Sequence, residues 1–472
     1  MNRPTRHRPE WNARRTHIGG LRNTAPWIIC LAGILFVASS LLQAQAADQT
    51  QKIITLEELE QMALQNNPTL AQSAANIRAA EGRRKQSGLY PNPTVGYQGE
   101  EIRGGSFRGG EQGFFVQQDI VISGKLGLNR KIFEQEKKQA ETEAGEQKLR
   151  VLTNVRMSYI QALAAQQTLE LRQSLSKLAQ DAVETSHQLA NVGQADAPDV
   201  LESEVEAQQA DLAVTMAEQN QQRVWKELAV VVGNPRLPLT RLKGNLEETT
   251  PVNPDDLVEN IVNESPVVRI ADFGVKRAEA ALARAKREPI PDLQFRGGMQ
   301  QNRELSETSG QPVGLQGFAE VGVQIPIFNR NQGNIAASKA DLERAQREVE
   351  RVKLVLRERA ARVVQNYTFS QTAVERYKNQ MIPRAQKAYD MYMNKYHDMA
   401  AAYPQVLIAQ RTLMQLDVSY VNALESFATS SLELQSFLLM DGLEAPSQPG
   451  GTDQPVREVN VPFQMSTSSQ EK

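Results

Sequence analysis

Residues 128–192 run without a proline, and residues 333–397 contain only Pro383. Both stretches are rich in Ala, Gln, Glu and Arg, which favour helix. Each predicts one helix of about 65 residues, close to 100 Å long at 1.5 Å per residue. No ordinary globular domain holds such a helix, and a helix that long must pack against neighbours along its length. In 149–179, Leu152, Val155, Tyr159 and Leu163 fall three to four apart with polar residues between, the spacing of a coiled-coil seam. The Ala, Gln and Ser content predicts narrow seams rather than a thick core. Return helices are expected over 199–232 and 405–440.

The pattern occurs twice. QNNPTL at 65–70 matches NESPVV at 263–268, NPTVGYQ at 92–98 matches IPDLQFR at 290–296, and APDVLESE at 197–204 matches YPQVLIAQ at 403–410. The expected order in each half is helix, strand, loop, strand, long helix, turn, long helix. The boundaries are 47–250 for the first repeat and 251–442 for the second, with a flexible tail over 443–472. Shorter helices are expected over 56–87 and 255–287, each interrupted early by its proline.

Residues 1–46 read as a signal peptide. Arg3, Arg6, Arg8, Arg14, Arg15 and Arg22 precede the apolar run APWIICLAGILFVASSLLQAQA, which ends at the small-residue site Ala44-Gln45-Ala46. Its loss removes six Arg and one Glu, so the formal charge falls from −2 to −7. No basic balance favours nucleic acid. The only cysteine, Cys30, lies within the apolar run. The mean hydropathy of −0.47 excludes a multi-span helical membrane protein.

Four segments alternate apolar and polar residues with the period of a strand: about 93–101, 113–122, 291–301 and 317–328. Leu293, Phe295, Met299, Val321 and Val323 share one face, and Gln294, Arg296, Glu320 and Gln324 the other. Gln118 sits where alternation calls for an apolar residue, so 113–122 has the least certain register. The lengths suit tilted strands crossing an outer membrane. A membrane barrel must close, and bacterial barrels start at eight strands, so four strands per chain have to be pooled; three chains give twelve.

Signal peptide, duplicated halves, two hairpins and paired long helices together resemble the TolC-type outer-membrane efflux proteins, over about residues 52–442. NPTVGY and the later ISGKLGLNR are most similar to the heavy-metal, CzcC-like branch, although SGKL stands where that branch carries a GGKR-like turn. The resemblance implies a mainly helical fold with membrane strands. A homotrimeric, twelve-strand barrel in the outer-membrane lipid would continue into a periplasmic helical tunnel. It also implies a periplasmic adaptor and an inner-membrane pump, of the RND type, as partners in a tripartite efflux system for metal cations or small toxic compounds. No cofactor or covalent intermediate is implied.

In such a tunnel the helix-to-helix turns become the periplasmic tips. The first turn carries Asp196, Asp199 and Glu202. Asp199 and Glu202 share a helix face, and threefold symmetry would make them cation-selecting rings. Helix capping accounts for acids there equally well. The family's acidic constriction usually lies in the second turn, where this chain has Gln405 and Ile408. Met393 and His397 are four apart near that turn, a soft donor pair suited to copper(I) or silver; packing explains them as well, and no metal site is assigned. The sequence has no P-loop, nucleophile elbow or Cys/His cluster, so no enzyme is expected. A type I protein-secretion channel and a soluble periplasmic helical-hairpin adaptor remain as alternatives.

Overall fold

A computed structural model describes residues 53–102, 110–193, 195–305, 310–398 and 403–447. The expected signal peptide and most of the expected C-terminal tail lie outside them. The first half contains α1 (Leu56–Asn66), α2 (Pro68–Gln86), β1 (Thr94–Glu100), β2 (Glu111–Ile120), α3 (Lys125–Asn191) and α4 (Ala197–Val231). The second contains α5 (Pro254–Glu264), α6 (Pro266–Arg287), β3 (Leu293–Leu305), β4 (Pro312–Val323), α7 (Gln332–Arg376), α8 (Ile382–His397) and α9 (Tyr403–Gln435).

The two early prolines each start a helix. Asn67 caps α2, its side chain accepting from the Thr69 N–H at 2.9 Å, and Pro68 takes the first turn, where its missing N–H costs nothing. Ser265 and Pro266 repeat the device at α6. The long first-half helix is continuous: α3 has 67 residues. The expected second long helix is not one α-helix. It is α7, of 45 residues, then a π-helical turn over Tyr377–Met381, then α8, of 16 residues. Pro383 has no N–H to give and its ring crowds the preceding turn, and the wider π turn absorbs the misfit.

α3 packs on α2 and α6 along its sheet-side half and on α4 and α9 toward its far end. The second-half helices α6 and α9 pack in turn on α7. The seams are narrow: Gln139, Ala140, Glu143, Gln147, Ala162, Ala165, Ser176, Ala182 and Ser186 are buried along α3. Two apolar cores lie where short helices and connectors pack on the interior turns of α3 and α7. One gathers Leu59, Val151, Val155, Trp225, Leu228 and Leu242; the other gathers Ile261, Val268, Leu356, Ala360, Tyr367 and Leu434. A buried tyrosine ties a connector to each long helix. The Tyr159 hydroxyl donates to the Lys243 carbonyl; the Tyr367 hydroxyl donates to the Val252 carbonyl and accepts its N–H, at 2.9 and 2.8 Å. The segment 237–250, expected as connector or small strands, makes one parallel bridge, Ile54 with Leu242, and one 3-10 turn, Leu246–Glu248. The described start of the tail lies against α2 and α3: the Glu444 carbonyl accepts from Gln147 at 3.2 Å and the Ser447 carbonyl from Asn76 at 3.4 Å.

The four strands form one antiparallel sheet in the order β1-β2-β3-β4, so the halves are joined through β2 and β3. β4 departs from the expected 317–328: it starts at Pro312 and ends at Val323. The alternation continues through Ile327, but β3 begins at Leu293, opposite Val323, and offers nothing further to pair with. Pro326 also lacks the N–H a ladder needs, and the chain turns there, the Ile327 N–H reaching the Ile325 carbonyl at 3.0 Å.

Candidate functional site

Register decides what each face of the sheet carries. Val95, Val116, Gly297 and Ala319 lie in one cross-strand row, and Tyr97, Phe114, Met299 and Gly317 in the next. Tyr97 and Phe114 meet edge to face at 5.5 Å. Gln118 pairs with Phe295, so the less certain register of 113–122 resolves with Gln118 on this apolar face. Its side-chain amide is satisfied by the Pro91 carbonyl at 2.9 Å. Val95, Tyr97, Phe114, Val116, Phe295, Met299, Leu315, Val321 and Val323 are all exposed. Among the described residues no helix covers this face.

The opposite face holds the charges of the strands up to Asn302 of β3: Glu100, Glu111, Asp119, Arg296 and Glu320. Gln294, Arg296 and Glu320 of the expected set come together here. Gln324 does not; it is exposed, beyond the end of β4. Arg296 stands directly across from Glu320, with 3.8 Å between their charged atoms. Its guanidinium also donates to the Gln98 side chain and lies 4.4 Å over the Phe115 ring and 5.8 Å from the Phe318 ring. Nearer the loops, Glu111 accepts from Gln300 and, at 2.6 Å, from Asn302. Strand alternation missed Phe115 and Phe318 on this face. The signal was in the row Gly96-Phe115-Gly298-Phe318: each ring uses space a glycine leaves. A Cβ on Gly96 would come within 2.4 Å of the Phe115 ring, and one on Gly298 within 2.8 Å of the Phe318 ring.

The sheet is anchored to the helices by Asp292, just before β3. Its carboxylate accepts from the Ile122 N–H at 3.1 Å and from buried Lys125, the first residue of α3, at 2.9 Å. At the α6–α7 joint, Asn331 adopts a left-handed conformation (φ 59°) and its amide donates to the Ala285 carbonyl at 2.8 Å.

A family model described as outer membrane efflux protein matches residues 59–234 and, a second time, residues 257–438. The chain belongs to the outer membrane efflux protein family. The two matches follow the two halves of the fold, and the family places this efflux protein in the outer membrane. It is 23% identical over 373 residues to the cobalt-zinc-cadmium resistance protein CzcC of Cupriavidus metallidurans, covering 79% of this chain and 86% of that one. It is also 23% identical over 325 residues to the nickel-cobalt-cadmium resistance protein NccC of Alcaligenes xylosoxydans xylosoxydans, covering 66% and 70%. Among solved structures, the outer-membrane channel OprN superposes with a TM-score of 0.67 at 16% identity, covering 82% of this efflux protein and 91% of that chain. The fold is TolC-like. No helix among the described residues is long and apolar enough to cross a membrane.

At the first helix-to-helix turn of the efflux protein, Asp196, Asp199 and Glu202 are all exposed. The Asp199 carboxylate accepts from the Asp196 N–H at 3.3 Å, so it does cap the start of α4. Capping uses one of its oxygens and leaves the charge in solvent. Near that tip His187 on α3 faces Glu204 on α4 at 3.2 Å. At the second turn Gln405 is exposed, Val406 is buried and Ile408 is exposed. Tyr396 stacks on Tyr403, ring centres 5.2 Å apart. Met393 is half-buried on α8, and the side chain of His397 lies outside the described residues. Among the described residues no group of three or more His, Cys, Asp or Glu is arranged to hold a metal.

Proposed function

We propose that the chain is the passive outer-membrane conduit of a tripartite efflux system, three copies pooling their strands into one twelve-strand barrel. The supporting observation is the segregation of charge on the sheet. Every charged residue in the paired strands between Thr94 and Ile120, between Leu293 and Asn302, and between Val313 and Val323 falls on one face. The other face is apolar and exposed. Lipid suits the apolar face and a water-filled lumen the charged one, so Gln294, Arg296 and Glu320 line the lumen. β1 and β4 are the free edges of the sheet. Open edges are not tolerated in lipid, and pairing β4 of one copy with β1 of the next closes the ring.

The helices carry the lumen on through the periplasm, and their turns meet an adaptor and an inner-membrane pump of the RND type. Asp196, Asp199 and Glu202 ring the tip in this arrangement, with Gln405 at the second turn. The names of CzcC and NccC favour divalent transition-metal cations as cargo. Fractionation of the cell envelope tests the conduit: the mature chain is expected in the outer membrane as an oligomer that dissociates to monomer on heating. A monomer in the soluble periplasmic fraction rejects it. A deletion strain is expected to become sensitive to cobalt, zinc, nickel or cadmium. Sensitivity to drugs alone, or loss of a secreted protein, assigns a different cargo.

A further inference from the structure

Among the described residues, Arg296 is the sole basic side chain in the paired rows of the charged face, against four carboxylates. An arginine in water normally sweeps a wide volume. This one is pressed to the sheet by Phe115, Phe318 and Gln98, and the rings beneath it occupy the space left by two glycines. Its side chain is 28% exposed, against 65% for Glu320, which projects beyond it. Planar guanidinium and aromatic ring attract through the ring quadrupole, and a lysine cannot reproduce that flat stack. The positive charge is therefore fixed in position at the wall. Along the face it separates Glu111, level with Asn302 near the loops, from Asp119, level with Gln294 near the helices.

We propose that Arg296 is the specificity-determining residue of the barrel interior. Its fixed charge cancels that of Glu320 and makes a nearly neutral belt between two acidic ones, so it limits how strongly the lumen prefers cations. The inference rests on the charged face lining the lumen. Fixed wall charges act on permeating ions over about a Debye length, roughly 10 Å at 0.1 M salt, so the effect belongs to low ionic strength.

The test is the zero-current potential of the purified full-length protein in planar bilayers under a potassium chloride gradient. Relative to wild type, Arg296→Gln is expected to raise the potassium-to-chloride permeability ratio about twofold or more at low salt, and Glu320→Gln to lower it. Arg296→Lys keeps the charge without the stack and is expected to fall between wild type and Arg296→Gln. A merely structural role for the stack would not move this ratio in opposite directions in the two neutralised variants. Conducting Arg296→Gln channels with the wild-type ratio overturn the inference and leave the conduit standing. If Arg296→Gln fails to assemble, Glu320→Gln reads the same belt, and an unchanged ratio there is equally fatal. A wild-type protein that forms neither a heat-dissociable oligomer nor a conductance overturns the conduit itself, and the inference with it.

Discussion

Glu143 lies in the seam between α3 and the chain's last described residues, 6% exposed. Burial pushes its carboxyl up to about 7, with the charges of Glu146 and Glu136 adding to the rise and a hydrogen bond from Ser447 opposing it. A carboxyl raised in the folded state favours folding while it is protonated. Its contribution is complete below the ordinary carboxylate range near 4.5 and is lost as pH rises through about 7. The loss amounts to about 3 kcal/mol at most. Glu143→Gln is expected to raise the melting temperature of the detergent-solubilised protein at pH 8, with little change at pH 5. A difference of the same size at both pH values rejects the titration. Sequence alone could not single out Glu143, because α3 carries many glutamates and burial depends on which neighbours meet it. Arg296 and Glu320 were legible as residues of one face. Their pairing, and the rings under the guanidinium, were not, since both depend on cross-strand register.

The second long helix shows an element adapted to its one proline. The π turn at Tyr377–Met381 is held from outside by Glu247. Its carboxylate accepts from Lys378 of the π turn at 2.7 Å and from the Tyr420 hydroxyl of α9 at 2.8 Å. Those two hydrogen bonds keep Glu247 below the usual carboxylate range. A cavity of about 340 Å³ beside it is lined by Leu246, Val374, Tyr420 and Phe427. Glu247→Ala is expected to speed amide exchange over 377–397 while costing less than about 1 kcal/mol of global stability, as for other exposed ion pairs. Unchanged exchange there shows that the helix carries its proline without the connector. Pro383→Ala should restore α-helical hydrogen bonding and slow the same amides. Most elements were legible: helix starts from the Asn-Pro and Ser-Pro pairs, helix lengths from composition, strands from alternation. The π turn left no trace beyond Pro383, because a single extra backbone residue barely changes a helical pattern. The slip of β4 was hidden for another reason, since alternation continues past the point where the partner strand begins.

At the scale of the whole molecule, α4 presents Leu201, Val205, Leu212 and Met216 to solvent, each more than half exposed. Their spacing keeps them on one stripe about 60° wide at 100° per residue. A 35-residue helix with such a stripe uncovered has the pattern of a seam awaiting a partner, and in the proposed trimer a neighbouring copy covers it. The double variant Leu212→Asp, Met216→Asp is expected to yield monomer in place of trimer on native gels. Trimer at wild-type yield places the subunit seam on another face. The same sheet order that leaves two edges free for closure also sets a sequence of events in time. β1 and β2 are joined by a short loop, as are β3 and β4, but Gln118 must find Phe295, 177 residues further along the chain. Such long-range pairing is slow, because loop entropy is lost before contacts compensate it. An emerging chain therefore spends an interval as two separate hairpins with bare apolar faces. Until the hairpins pair, their bare apolar faces and open strand edges are an aggregation hazard.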